Sequence, residues 1–255
     1  MKLLKKHNSR VTGLLKTPVA LAVWLAIWYI ASEIIGMEIL IPSPSAVAGA
    51  FSELLCEKEF YISCFSSLSK VLTGWGIGII FGCALGVLTH LSSVLRSFFE
   101  PMLHIIKATP VASFIVLALV LMTSKAVPVF TCALITVPVV WANISQGLSA
   151  PDKKILEMAS FFNMSRKNKI SHIYIPSALP FFSAAAKTTL GLSWKAGIAA
   201  EVICTPKNTI GAGISDAKIY LETPSLFAWT VTVIVLSVIL EKILARLLRK
   251  HGGAL

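Results

Sequence analysis

Long apolar segments alternate with short polar ones along the whole chain. A helix that crosses a bilayer needs about 20 predominantly apolar residues, and six segments are of this kind. They cover residues 17–35, 69–91, 102–123, 127–148, 177–204 and 223–248. The pattern predicts an all-α integral membrane protein with six transmembrane helices, which form a single domain over residues 1–255.

The polar connections predict additional short elements. Residues 36–66 contain two prolines and an acidic stretch, and predict an external loop with a short surface helix near 45–55. Residues 205–222 are too short and too polar to cross the membrane, and predict an external helix, either re-entrant or on the surface. Residues 150–176, the central loop, carry five of the 23 lysine and arginine residues between two apolar segments.

The second apolar segment, 69–91, is rich in glycine. Small residues two and four positions apart let helices approach closely in lipid, where packing rather than hydrophobicity drives association. This helix is therefore predicted to be central, with neighbours on more than one side. Its glycines are Gly74, Gly76, Gly78, Gly82 and Gly86.

The fifth segment carries three ionisable residues, Lys187, Lys195 and Glu201. At about 100° per residue they fall within an arc of about 120°. Ionisable side chains at membrane depth face a bundle interior or a water-filled path, so all three are candidates for a translocation path. Alternatively, Lys187 and Glu201 reach to opposite membrane interfaces. The sequence leaves both interpretations open for those two residues, and Lys195, which lies between them, is the stronger candidate.

Composition agrees with a membrane protein. Apolar residues make up 56% of the chain and charged residues 14%, with a mean hydropathy of +0.80, whereas soluble domains carry about 25% charged residues. The net charge of +11 does not indicate nucleic-acid binding, because the basic residues collect between the apolar segments.

The basic residues set the orientation. Fifteen of them lie in the N-terminal segment, at Arg96, in the central loop and in the C-terminal tail, against four in the opposite connections. Since the more basic side is cytoplasmic, the central loop and both termini of this multi-pass protein are predicted to be cytoplasmic. A cleaved signal peptide also begins with a basic segment, but the spans that follow favour an uncleaved first helix.

The five cysteines form no recognisable motif. They are odd in number, with no C-x-x-C and no histidine at metal-ligand spacing, so no metal site is expected. Most of them are expected to be small apolar residues in or near helices. Cys56, Cys64 and Cys204 lie near one predicted membrane face, and the sequence leaves open whether they are oxidised.

The central loop is too regular to be a simple turn. Asp152 is a suitable N-cap for a helix. Asn163 is predicted to end this helix, because asparagine tolerates the left-handed conformation better than other non-glycine residues. Ser165 can cap a second short helix, which runs through Tyr174 and ends at Pro176. The apolar residues at helical spacing in the first helix are Ile155, Leu156, Ala159 and Phe162.

Two short helices at an angle make a rigid projection with exposed apolar residues. These include Phe161, Phe162 and Met164. An exposed apolar patch predicts a binding partner. A basic loop that only sets topology would explain the lysines but not this pattern.

The central loop contains Glu157-Met158-Ala159, Asn163 and Ile173-Tyr174-Ile175-Pro176, with three residues before Asn163 and nine after it. This spacing matches the pattern E-A-A, three residues, G, nine residues, I-x-L-P. It resembles a motif of the membrane permeases of bacterial binding-protein-dependent ABC importers. Met158 stands where the motif has alanine and Ile175 where it has leucine, so both replace one apolar residue with another. Asn163 keeps the left-handed turn but lacks the freedom of glycine.

The resemblance extends over nearly the whole chain and looks most like the nitrate, sulfonate and taurine permease branch. Each matching segment is weak evidence by itself, but their order and spacing together are strong. The segments are IPSPSAV at 41–47, PVASFIVLALVL at 110–121, SALPFFSAAAKTTLGLSW at 177–194, AAEV at 199–202 and IGAGI at 210–214.

The resemblance implies the type I ABC importer permease fold in a bacterial inner membrane. It implies ATP-driven import of a small solute, such as a sulfonate, nitrate or similar anion. The central loop would be a coupling-helix element seated in a cytoplasmic ATP-binding subunit. A second permease chain, expected to be identical, and an extracytoplasmic solute-binding protein would be partners. The coupling residues implied by the motif are Glu157, Ala159, Phe162, Asn163, Ser165, Ile173 and Pro176.

The chain is not expected to be an enzyme. It lacks the P-loop pattern G-x-x-x-x-G-K-[ST], so ATP and Mg would bind to the partner ATPase, and no cofactor is expected on this chain. A membrane enzyme would need acid, base or nucleophile residues clustered at one depth, and none is visible. An ion-gradient-driven secondary transporter is the alternative, but its inverted repeats are not evident. Substrate identity and the side chains that contact it are left open.

Overall fold

The computed structural model describes the backbone of residues 2–251 and the side chains of residues 19–249. Regular structure in this part of the chain is helical throughout. The helices are α1 (Lys2–Ile35), α2 (Pro44–Cys56), α3 (Lys58–Leu91), α4 (Ser93–Ala108), α5 (Val111–Leu121), α6 (Val127–Ser149), α7 (Lys153–Phe161), α8 (Arg166–Lys169), α9 (Ile175–Cys204), α10 (Ile210–Ile219) and α11 (Thr223–His251), with one π-helical turn at Ile170–Tyr174.

The chain divides into two compact units. The first contains the residues up to 58 together with 214–231, and the second contains 59–213 together with the residues from 232 onward. In the first unit, Trp28 stacks on Phe227 with ring centroids 5.7 Å apart, and its indole N–H donates to Pro42 O at 3.1 Å. The Thr223 hydroxyl donates to Ile39 O at 2.6 Å. The connection before α2 is therefore held by side chains of α1 and α11.

Both short helices predicted in the connections are present. α2 covers Pro44–Cys56, and Ser43 caps it by accepting a hydrogen bond from the Ala46 N–H at 3.2 Å. α10 covers Ile210–Ile219, within the predicted 205–222 segment.

α3 is longer than predicted. It begins at Lys58 rather than near 69, so the end of the predicted loop is helical. Phe60, Ser63 and Ser67 are buried and lie at helical spacing along this extension. Because two of these three residues are serines, the apolar pattern does not reveal their buried face. α3 and α6 are each long and apolar enough to cross a membrane.

The third predicted span is two helices rather than one. α4 and α5 meet at an angle of 105° around Thr109 and Pro110. Thr109 is extended, with φ −83° and ψ 134°, because a proline excludes the α conformation from the residue before it. Lys107, which falls near the start of the predicted span 102–123, therefore lies in the last turn of α4. The six-span arrangement remains a prediction.

Glycines of α3 make its close contact with α6. Gly74, Gly78, Gly82 and Gly86 are buried along one face, and a Cβ added at any of them would overlap α6 atoms. Gly76, on another face, has open space beside it. The close helix approach that the glycine spacing predicts is confirmed at Gly74, Gly78, Gly82 and Gly86. The α6 residues that an added Cβ would meet are Val129, Cys132, Ala133, Thr136, Val137, Val140, Trp141 and Ile144.

Polar bonds join α6 to α9 inside the second unit. The Cys132 thiol donates to Ser193 O at 3.2 Å, and the Thr136 and Ser193 hydroxyls lie 2.8 Å apart. All three residues are buried. Polar side chains that bond across a helix interface stabilise helix association in lipid, so α3, α6 and α9 form a fixed core from which the functional segments extend.

Candidate functional site

The first helix of the central loop begins where the sequence predicts. The Asp152 carboxylate accepts a hydrogen bond from the Lys154 N–H at 2.9 Å, and Asp152 has extended backbone angles. This is the geometry of an N-cap, in which a side chain satisfies an amide that has no partner within the helix. The capping role predicted for Asp152 is confirmed.

The helix ends in a left-handed turn at Asn163, as predicted. Its φ is 49°. The Asn163 N–H donates to Ser160 O at 3.0 Å, and the Met164 N–H donates to Ala159 O at 2.9 Å. These two bonds form a Schellman motif, which closes a helix end by reversing the chain direction. The angle between the two short helices is thus fixed by backbone hydrogen bonds.

A side-chain bond ties the second helix back to the first. Ser165 caps α8 by accepting from the Asn168 N–H at 3.3 Å, which confirms the predicted cap. The Lys169 ammonium donates to Ser160 Oγ at 2.9 Å across the turn. This bond and the Schellman motif favour motion of the two helices as one body.

Pro176 does not end the second helix, contrary to the prediction. α8 passes through the π-helical turn at Ile170–Tyr174 directly into α9. The Ile175 N–H donates to Ile170 O, five residues back. A proline inside an α-helix clashes with the carbonyl four residues earlier, and a wider turn just before it relieves that clash. The central loop is therefore joined to α9 by continuous helix.

The predicted coupling residues divide into exposed and buried groups. Ala159 and Ile173 are 5% and 9% exposed and belong to the packing of the loop. Met164, expected to be exposed, is half-buried. Phe161 and Phe162 are 82% and 73% exposed, and their rings lie 5.5 Å apart. The predicted coupling residues on the exposed side are Glu157, Phe162, Asn163, Ser165 and Pro176.

Two of the three predicted path residues share a cavity. Lys187 and Lys195 are exposed and line a cavity of about 440 Å³ together with Glu241 of α11. A second cavity of about 580 Å³, also lined by Lys187, contains Arg246 and Arg249. Sequence reasoning did not propose Glu241, although it is the first acidic residue after the uncharged run of the last span.

Glu201 lies apart from the lysines of that cavity. Its side chain is completely buried. It accepts hydrogen bonds from the Ser67 hydroxyl at 2.6 Å and the Gly211 N–H at 3.3 Å, and Lys70 Nζ lies 4.0 Å away. Glu201 therefore joins α3, α9 and the start of α10, and its side chain lies in the packed interior between these helices.

The cysteines are unpaired. All five are free thiols, and Cys132 and Cys204 are buried. Within the described residues, no group of three or more histidine, cysteine, aspartate or glutamate side chains could hold a metal ion.

Comparison with protein families matches residues 77–251 to the binding-protein-dependent transport system inner membrane component family. A probable ABC transporter permease of Brucella melitensis is 24% identical over 241 residues, which cover 93% of this chain and 96% of the relative. The bicarbonate transport permease CmpB of Synechococcus elongatus is 25% identical, covering 84% of this chain and 81% of the relative. The putative aliphatic sulfonates permease SsuC of Bacillus subtilis is 23% identical over 96% of this chain and 90% of the relative.

Solved structures show the same fold. The MetNI methionine ABC transporter in an inward facing conformation superposes with a TM-score of 0.63 at 14% identity, covering 75% of this chain and 95% of the other. A bacterial ABC transporter involved in alginate import superposes with a TM-score of 0.61 at 14% identity, covering 97% of this chain and 98% of the other.

Proposed function

The chain belongs to the family of inner membrane components of binding-protein-dependent transport systems, and we propose that it acts in a pair of identical permease chains that import a small anion. It is a multi-pass permease subunit of an ABC importer, as its sequence predicts. This membership sets aside the alternative of an ion-gradient-driven transporter.

The central loop is the proposed contact with the ATP-binding subunit. One observation supports this role above the others: an exposed apolar patch lies on a rigid two-helix body that continues into α9. An amphipathic helix that lays its apolar face into a groove is a common mode of recognition. Closure of the ATPase would move the loop as a rigid body, and the continuous helix would carry that motion into the bundle.

Phe161 and Phe162 are the proposed anchors of this contact. Aromatic residues are enriched among the side chains that carry most of the binding energy of protein interfaces. The exposed carboxylate of Glu157 lies on the same helix and would select a basic or hydrogen-bond donor group on the partner. Asn163 and Ser165 would act indirectly, by fixing the angle between the helices.

The remaining partners follow from the type of importer. A second copy of this chain would complete the translocation path, and an extracytoplasmic solute-binding protein would deliver the cargo. ATP and Mg would bind to the ATP-binding subunit, with the central loop and both termini on the cytoplasmic side of the membrane. The excess of basic residues on that side supports this orientation.

A small anion is the proposed cargo. Relatives of this chain include permeases named for bicarbonate, aliphatic sulfonates and nitrate. Lys187 and Lys195 support the same class of cargo, because they present two ammonium groups to one cavity of the bundle. Glu241 in that cavity reduces its positive charge, which would keep the anion from binding too tightly to leave.

Reconstitution tests this function. The permease, its ATP-binding subunit and its solute-binding protein are placed in proteoliposomes, and uptake of radiolabelled bicarbonate and ethanesulfonate and of ¹⁵N-nitrate is followed. We expect uptake of at least one anion to require ATP and to persist when the proton gradient is collapsed. Uptake that stops with the gradient and continues without ATP would contradict the function, and import of neutral solutes alone would contradict the proposed cargo.

A further inference from the structure

A third cavity is lined by polar residues from the C-terminal ends of α3 and α6 and from α4. It has a volume of about 520 Å³. Neither the coupling residues nor the predicted path residues line it. Its charged and protonatable side chains are His90 from α3 and Arg96, Glu100, His104 and Lys107 from α4.

The charges along α4 leave this cavity with an excess of positive charge. Arg96 Nε donates to Glu100 Oε2 at 3.2 Å, and His104 Nε2 lies 3.9 Å from Glu100 Oε1. Glu100 is thus the carboxylate that partners two of the basic groups, and it is the one carboxylate among the described residues that line the cavity. Lys107 makes no ion pair within the described part of the chain. The two permanent cations therefore outnumber the single anion even when both histidines are neutral.

Lys107 is held over an aromatic ring rather than by an anion. Its Nζ lies 6.0 Å from the centroid of the Trp141 ring, which is the outer limit of a cation–π contact. The indole N–H of Trp141 is already used, since it donates to Thr89 Oγ1 at 2.8 Å. The ammonium is thus positioned at the cavity with hydrogen-bond donors still available.

Ser145 supplies a second free donor. Its Oγ is buried and has no hydrogen-bond partner among the residues that the structure describes, although buried polar groups are almost always bonded. Other hydroxyls of α6 behave differently: Thr131, Thr136 and Ser149 each donate to the carbonyl four residues back, at 2.8, 2.8 and 2.9 Å. Ser145 lines the cavity, so an acceptor inside the cavity would satisfy it.

We propose that this cavity is a binding site for a small oxyanion, which accepts hydrogen bonds from the Lys107 ammonium and the Ser145 hydroxyl. A metal or organic cation would meet two permanent positive charges there, and an apolar ligand would leave Ser145 without a partner. An oxyanion offers several acceptor oxygens to separate donors at once. The volume accommodates nitrate, bicarbonate or a short alkyl sulfonate together with water.

The cavity is next to the central loop. The His90 ring packs edge-on against Tyr174 with centroids 6.2 Å apart, and Ser149 Oγ lies 3.5 Å from His90 Nδ1. Tyr174 is the last residue of the π-helical turn that leads into α9. An anion in the cavity therefore lies one side chain away from the element through which the ATP-binding subunit is proposed to act.

This inference rests on the proposed function in one respect. The oxyanion assigned to the cavity belongs to the same chemical class as the proposed cargo. The anion can reach the cavity from two sources. It is either cargo that leaves the bundle or a free anion from the cytoplasm, such as sulfate or phosphate, that is not transported. Both sources require the same donors, and the experiment separates them.

Binding is measured by isothermal titration calorimetry on the permease with its ATP-binding subunit in nanodiscs, without the solute-binding protein, at constant ionic strength set with sodium gluconate. The probes are sodium nitrate, bicarbonate, ethanesulfonate, sulfate and phosphate. We expect saturable binding of at least one of them, weakened at least tenfold by Lys107→Gln and restored in large part by Lys107→Arg. Lys125→Gln, which removes an exposed lysine elsewhere, is the matched control and should bind as the wild type does.

Ser145→Ala separates a ligand role from a structural one. Because the hydroxyl has no hydrogen-bond partner in the described part of the chain, this variant should keep the wild-type melting temperature in buffer without the probe anions and still bind the probe several-fold more weakly. Absence of saturable binding, or equal affinity in the wild type and Lys107→Gln, would overturn the anion site. So would unchanged binding in Ser145→Ala accompanied by a lower melting temperature.

Uptake by the same proteins identifies the source and keeps the two proposals separate. If the bound anion is also imported and Lys107→Gln slows its import, the site holds cargo. If only sulfate or phosphate binds and neither is imported, the site holds a free cytoplasmic anion. Anion import with no binding at this cavity would refute the site alone, whereas binding at the cavity without import of any anion would refute the proposed cargo alone.

Discussion

Glu201 Oε2 accepts a hydrogen bond from Ser67 Oγ at 2.6 Å, which joins two residues that are 134 positions apart. The same Ser67 Oγ accepts from the Ile210 N–H at 2.9 Å, and Glu201 Oε2 accepts from the Gly211 N–H at 3.3 Å. The first amides of a helix have no partner within it, and they favour negative charge. A carboxylate of α9 and a hydroxyl of α3 therefore fix the start of α10.

Glu201→Ala should destabilise the protein. It leaves a buried hydroxyl and a buried amide without the acceptor they share, and Lys70 without the carboxylate 4.0 Å away. The expected loss is about 2–4 kcal/mol of stability, measured as a lower melting temperature in nanodiscs. Glu222→Gln changes an exposed carboxylate and is the control, expected to melt as the wild type does. Equal melting temperatures for both variants would show that the buried network does not stabilise the fold.

A substitution pair on α3 tests its contact with α6. In Gly78→Ala the new methyl group would overlap Thr136 and the Ala133 carbonyl, whereas in Gly76→Ala it would enter open space. We expect the first to cost about 1–3 kcal/mol through overpacking and the second to be neutral or stabilising by up to about 1 kcal/mol. Thermal unfolding of the two variants measures the difference, and a less stable Gly76→Ala would contradict the described packing.

Substitutions at Asn163 test the turn of the central loop. Proline cannot adopt its φ of 49° and removes the N–H that donates to Ser160 O. Asn163→Pro should therefore lower anion uptake per ATP hydrolysed, while the amount of protein in the membrane stays normal. Asn163→Gly keeps both the left-handed conformation and the N–H, so it should transport as the wild type does. A similar coupling ratio in both variants would remove the turn from the mechanism.

The extent to which the sequence predicts this site depends on how local each interaction is. The caps at Asp152 and Ser165 and the turn at Asn163 each involve residues within five positions, and all three were predicted correctly. The helix continuing past Pro176 was missed, because the π-helical turn that accommodates the proline has no distinct side-chain signature. The break at Thr109 was also missed, although the following proline is a local signal for it.

Glu201 shows a different limit of sequence reasoning. Its helical position groups it with Lys187 and Lys195 on one arc, yet its partners come from α3 and α10. The periodicity of one helix gives the direction of a side chain but not the neighbour that covers it. A buried carboxylate bonded to a helix start and an exposed lysine facing a cavity therefore look alike in the sequence.

Lys195 provides the test of the proposed path. Lys195→Leu removes one of the two ammonium groups that line the cavity with Glu241, so anion uptake should fall about tenfold or more, in line with the loss of one charged hydrogen bond of about 1.5–3 kcal/mol. The ATP-binding subunit should still co-purify. Lys195→Arg keeps the charge and should recover most of the uptake. Full uptake by Lys195→Leu would return this residue to a structural role.

The central claim is that the exposed face of the central loop binds the ATP-binding subunit, and co-purification tests it most directly. The tagged permease is isolated with its ATP-binding subunit as wild type, as Phe162→Asp and as Tyr220→Asp, which places the same charge on a 74% exposed aromatic residue outside the loop. We expect the ATP-binding subunit to be lost only from Phe162→Asp, with ATP-driven uptake lost as well. Recovery of the ATP-binding subunit at the wild-type ratio with Phe162→Asp would contradict it.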